Sequence, residues 1–144
     1  MRRGRDLLGR PVPLGGPDVV PEVPEQALPP AQALALAQAL LEQDRAFGAH
    51  EVLEASWKAA EPEQRGVWQG LAQVCVGITH VQRGNSVGGA RLLRRGAGRL
   101  DAVPGVRDWA VGLAAEVEAG DVPTGTAGAP WGGSGGRLVL PPGL

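Results

Sequence analysis

Apolar residues recur at helical spacing through the middle of the chain, and no strand-like alternation of useful length appears between residues 31 and 119. Five helices follow from that pattern. Pro29-Pro30 opens the first, because proline is tolerated in a first turn, and Leu34, Leu41 and a run of alanines carry it to about Asp44. Phe47-Gly48 breaks the periodicity. A second helix runs from about Ala49 to Ala60, with Val52, Leu53 and Trp57 apolar. Glu61-Pro62-Glu63 starts a third, its acids near the positive end of the helix dipole, and Val67, Trp68, Leu71, Val74, Cys75, Ile78 and Val81 extend it to Arg83. Gly84-Asn85 is a stop signal, and Ser86 is placed to cap a fourth helix carrying Leu92, Leu93, Ala97 and Leu100. Val103-Pro104-Gly105 separates it from a fifth, about Arg107 to Ala119, with Trp109, Val111, Leu113, Ala114 and Val117. Loops of a few residues make neighbours antiparallel, so the expected fold is all-α: a single compact bundle of about five helices.

The third helix is apolar around most of its circumference, which is the mark of a central helix. Its glycines, Gly66, Gly70 and Gly77, each cost about 1 kcal/mol relative to alanine in a helix interior. Their recurrence points to close approach by neighbouring helices. Cys75, Trp68 and Trp109 sit at helical spacing among aliphatic residues and read as core.

Composition adds the ends. Residues 1–30 hold 7 Pro and 4 Gly, residues 120–144 hold 4 Pro and 8 Gly, and the 89 residues between hold 2 Pro and 11 Gly. The expected organisation is a Pro/Gly-rich N-terminal extension over 1–29, a helical bundle over 30–119 and a Gly/Pro-rich tail over 120–144. Within that tail, Leu138-Val139-Leu140 is an apolar run suited to docking on the bundle or on a partner. Trp131, just upstream, needs a groove if it is ordered. The basic start, Met1-Arg2-Arg3-Gly4-Arg5, is followed by too short an apolar stretch for an export signal, and no window approaches the roughly 18 apolar residues of a membrane span. The expectation is a cytoplasmic protein off the membrane. One cysteine excludes an intramolecular disulfide and a multi-thiolate metal site.

Against the apolar helices stands one polar constellation. At about 100° per residue, His50, Glu54 and Trp57 fall within roughly 60° on the second helix, while Glu51 points elsewhere. Gln69, Gln73 and His80 form another stripe on the third helix. Buried polar groups without partners cost about 1–3 kcal/mol each, and the simplest solution is that the two stripes face one another.

The run from Phe47 to Trp57, with its His50-Glu51 pair, Glu54 and Trp57, resembles the signature of the domain of unknown function 309 family. The likeness continues through Gln69-Gly70-Leu71-Ala72-Gln73-Val74, His80, Arg83-Gly84-Asn85 and Gly89-Ala90, covering about residues 34–100. It implies a small helical bundle and no particular activity.

Several readings of the cluster stay open. It is a structural network that fixes helix register. It is a binding site for a small molecule, with His50, Glu54, Trp57, Gln69, Gln73 and His80 supplying polar anchors in an apolar wall. Or His50, Glu54 and His80 hold a divalent metal for hydrolase-like chemistry, since two histidines and a carboxylate form a known catalytic zinc set. The zincin pattern is absent, because its fifth position requires histidine. Charge adds little: the net value is −1. Arg83, Arg91, Arg94, Arg95, Arg99 and Arg107 gather around the fourth helix, opposite an acid-rich stretch at 42–63, which fits complementarity within the fold or between two copies. No aromatic residues interleave with these arginines, which argues against nucleic acid.

Overall fold

The computed structural model describes residues 3–125 and 136–144. Five helices follow in order: α1 (Pro30–Glu42), α2 (Ala46–Ala59), α3 (Pro62–Gln82), α4 (Ser86–Ala97) and α5 (Pro104–Ala119). Proline occupies the first turn of α1, α3 and α5, where its missing N–H is no loss. Consecutive helices pack side by side, and α5 folds back to touch α3. Each of α1, α3 and α5 ends with a residue in the left-handed region, Asp44 (φ 60), Gly84 (φ 88) and Gly120 (φ 75). In each case the backbone amides close back on the last turn, as in Asn85 N–H to the His80 carbonyl at 2.8 Å and Gly84 N–H to the Val81 carbonyl at 3.0 Å.

Three boundaries differ from the periodicity. Phe47 and Gly48 lie inside α2, which starts at Ala46, because Phe47 packs sideways under the N-terminal segment while Gly48 and Ala49 are buried. Pro104 begins α5 rather than preceding it. Asn85, not Ser86, caps α4, its Oδ1 accepting from Gly88 N–H at 3.1 Å.

Leu34, Leu41, Leu53, Leu71, Ile78, Leu93, Leu100 and Val106 are among the fully buried core side chains, with α3 at the centre. The α3–α4 contact is set by glycine. A Cβ on Gly96 would lie 2.8 Å from the Gly70 carbonyl oxygen, and one on Gly77 would lie 2.8 Å from Leu93 Cγ and 3.1 Å from the Gly89 carbonyl oxygen. Gly66 has open space around it and takes no part. Trp68 is buried, whereas Trp109 is half-buried at the margin of the core and donates its indole N–H to the Gly136 carbonyl.

Outside the helices, β1 (Arg3–Arg5) and β2 (Pro11–Pro13) form an antiparallel hairpin, Gly4 opposite Val12. It is fastened to the bundle by Arg83 Nε, which donates to the Leu8 carbonyl at 2.9 Å, and by Gly9, whose φ of 79 lets the chain pass directly over Phe47. At the other end, Leu138 and Leu140 are buried against the core, and the Gln38 side chain on α1 bonds the backbone of both. The apolar run of the tail thus docks on the bundle itself. Trp131 lies outside the described residues. No helix among those described is long and apolar enough to cross a membrane.

Candidate functional site

The α2 sequence places His50, Glu54 and Lys58 at successive four-residue steps. Their side chains form a ladder: His50 Nε2 lies 2.7 Å from one Glu54 oxygen, and Lys58 Nζ lies 2.9 Å from the other. Burial holds the His50 pKa below its ordinary value, even though the Glu54 carboxylate works the other way. The ring is therefore neutral near pH 7, and Nε2 carries the proton it donates to Glu54. The other nitrogen, Nδ1, is turned inward and buried. It forms no hydrogen bond among the described residues, although the Phe47 backbone one turn back favours the protonated ring. Glu54 is held below the usual carboxylate range, first by the Lys58 hydrogen bond and then by His50.

Antiparallel packing of α2 on α3 brings this ladder beside the α3 stripe. His50, Glu54, Trp57, Gln69 and Gln73, with Ala72 and Val76, line one open cleft of ≈ 110 Å³. Gln73 does not bond His50; its Oε1 accepts from Nε of Arg99, in the turn just after α4, at 3.3 Å. His80 is outside the cleft. Seven residues beyond Gln73, it shares the stripe's azimuth but sits roughly 10 Å further along the helix axis. There its Nδ1 pairs with the Asn85 side-chain amide at 2.8 Å. The metal set of His50, Glu54 and His80 is accordingly not assembled, and no three groups of metal-ligating type converge among the described residues. Cys75 is fully buried, its thiol pushed up to about 12 by desolvation, so it offers no nucleophile.

Two features escaped the sequence reading. Lys58 completes the ladder, and its signal was local: a lysine four residues after a glutamate on a helix. Glu51, about 100° around α2 from His50, lines a different and larger cleft of ≈ 200 Å³ between α2 and the N-terminal segment, together with Arg5 and Arg45. Those partners come from distant parts of the chain and carried no such signal. The arginines near α4 are largely taken up within the fold, Arg94 by Glu118 and Arg107 by Asp101 and Asp108.

Comparison with known families meets this geometry. Residues 34–92 match the model of a family described as Domain of unknown function (DUF309). The match covers 59 of the 144 residues, and over this segment the chain is similar to that family. No curated protein and no solved structure matches the chain. The DUF309 segment holds all of α2 and α3, and therefore every residue of the His50 cleft. It leaves out the hairpin, α5 and the docked Leu138–Leu140 run.

Proposed function

We propose that the cleft between α2 and α3 binds a small, mainly apolar molecule bearing one or two polar groups, and that it acts by binding rather than by catalysis. The observation that carries this reading is the lining itself. Trp57, Ala72 and Val76 supply an apolar wall, and Glu54, Gln69 and Gln73 supply polar groups at its rim. Glu54 is fixed in position by His50 and Lys58 before any ligand arrives, so little side-chain entropy is lost on binding. Catalysis is disfavoured because neither nitrogen of the His50 ring is free toward the cleft: one serves Glu54 and the other faces the interior.

The test is a ligand-observed NMR screen of small fragments against the full chain. Fragments seated in this cleft should bind about tenfold more weakly to Trp57→Ala, and His50→Ala should abolish their retention while the far-UV helix signal stays largely unchanged. Fragments that bind the Trp57→Ala protein equally well overturn the reading. So does a His50→Ala protein that has lost its helical signal, since the cluster would then serve the fold alone.

A further inference from the structure

A second cleft lies about a quarter-turn around α2, under the N-terminal segment, and its charges are arranged differently. Two guanidinium groups border it. Arg5 is held over the Phe47 ring, 5.0 Å from the centroid, and donates from Nη1 to the Gly9 carbonyl at 2.9 Å. Arg45 donates from Nη2 to the Pro21 carbonyl at 2.5 Å. Each is anchored through a single nitrogen, which leaves further N–H donors available. Facing them is Glu51, a half-buried carboxylate that forms no hydrogen bond or ion pair among the described residues. Burial pushes its pKa up, and the fields of Arg5 and Arg45 only partly offset this. The two arginines are close enough to be felt electrostatically and too far away to pair, so a gap separates opposite charges. Asp6, also at the cleft, is already committed to Arg10 and to the amide of Leu8.

We propose that this cleft is a binding site for a small zwitterion of the α-amino-acid class, its carboxylate received between Arg5 and Arg45 and its ammonium by Glu51. A simple anion fits poorly, because Glu22, Glu25 and Glu51 outnumber the two arginines around the cleft. A simple amine fits poorly for the converse reason, since two fixed guanidiniums would face it. A molecule carrying both charged groups on one carbon bridges the gap and gives Glu51 a partner that it lacks among the described residues. Val23 and Phe47 offer apolar contact for a side chain. The volume, ≈ 200 Å³, lies below the roughly 300–1,000 Å³ of pockets that enclose drug-sized ligands, which limits the occupant to a compact molecule. The site is independent of the His50 cleft, and its lining includes residues outside the DUF309 match.

The experiment is calorimetric titration of the full chain with the common L-amino acids at millimolar concentration, alongside the matched amines lacking the carboxylate and the matched acids lacking the amine. At least one amino acid should bind, with either one-charge analogue weaker by about tenfold or more, as expected for loss of a charge-assisted contact. Glu51→Gln, nearly isosteric, should weaken binding about tenfold, and Arg5→Gln comparably. Arg5 is exposed, so the second variant keeps the test valid if the first fails to fold. Trp57→Ala should leave this binding unchanged, which separates it from the α2–α3 cleft. Absence of binding by every amino acid, equal binding of a one-charge analogue, or retained affinity in both variants overturns the proposal.

Discussion

The two sides of α3 solve opposite problems with the same helix. Toward α4 it presents Gly70 and Gly77, which meet Gly96 and Gly89 so closely that a single added methyl collides with backbone. Toward α2 it presents Gln69, Ala72, Gln73 and Val76, and the helices part to leave a cleft. The glycine side gives dense packing at the expense of helix propensity. The glutamine side keeps longer polar groups at a partly wet seam, where their hydrogen bonds need not be made by the bundle alone. The closest backbone approach thus lies on one flank of α3 and the proposed binding cleft on the other.

The largest expected effect comes from disturbing the dense flank. A Cβ at position 96 would lie 2.8 Å from the Gly70 carbonyl oxygen and 3.0 Å from Val74 N, both backbone atoms that cannot step aside. Gly96→Ala should therefore destabilise the protein by about 1–3 kcal/mol, the usual range for overpacking, although the substitution by itself favours helix by about 1 kcal/mol. Gly66→Ala is the matched control on α3, with nothing within 4 Å of the added methyl. It should stabilise by up to about 1 kcal/mol. Chemical denaturation of both variants checks this. A Gly96→Ala protein as stable as the parent would mean that the α3–α4 spacing is not fixed by glycine.

The same contrast explains what could be read from the sequence. All five helices were legible, because apolar spacing, first-turn prolines and terminal glycines act over a few residues. Gly70 and Gly77 were legible as contact points, but Gly66 was not separable from them, since a glycine records the absence of a side chain whether or not a neighbour needs the space. The azimuths of His50, Glu54, Trp57, Gln69 and Gln73 follow from helix geometry. His80 was misjudged because azimuth says nothing about axial position: it shares the stripe yet lies two turns beyond Gln73, paired with Asn85. The Arg5–Arg45–Glu51 cleft depends on where an irregular segment crosses α2, and no local pattern encodes that.

A smaller effect tests the polar flank through pH. Burial holds both His50 and His80 below the ordinary histidine value of 6.5, with Arg83 adding to the effect at His80. Their folded pKa values are depressed, so the unfolded chain takes up protons first as pH falls. The contribution is intact above about pH 6.5 and is lost progressively below it, with a slope bounded at about 1.4 kcal/mol per pH unit for each histidine. Glu54, held below 4.5, adds a further loss at lower pH, whereas Glu51, raised by burial, works in the opposite direction there. Tm measured from about pH 7.5 down to 5.5 should decline, and His50→Gln should flatten the slope more than His80→Gln does. A Tm that is flat or rises over that interval would contradict the buried, neutral imidazole on which the cleft's geometry depends.

The smallest effect concerns Ser56, on α2 but away from the cleft. Its hydroxyl is buried without a hydrogen-bond partner among the described residues and borders a separate hollow of ≈ 140 Å³ with Leu28 and Trp68. An unmet buried hydroxyl costs about 1–3 kcal/mol, and alanine is the better helix former. Ser56→Ala should therefore raise stability by roughly 0.5–1 kcal/mol, or a few degrees in Tm for a chain of this size. The sign is what matters. A gain would class the α2 seam at this point with the dense flank, where apolar contact is what the fold requires. A loss would mean that the hydroxyl is satisfied in solution by something seated in the hollow, and that the polar character of α2 extends beyond the face it turns toward the glutamines of α3.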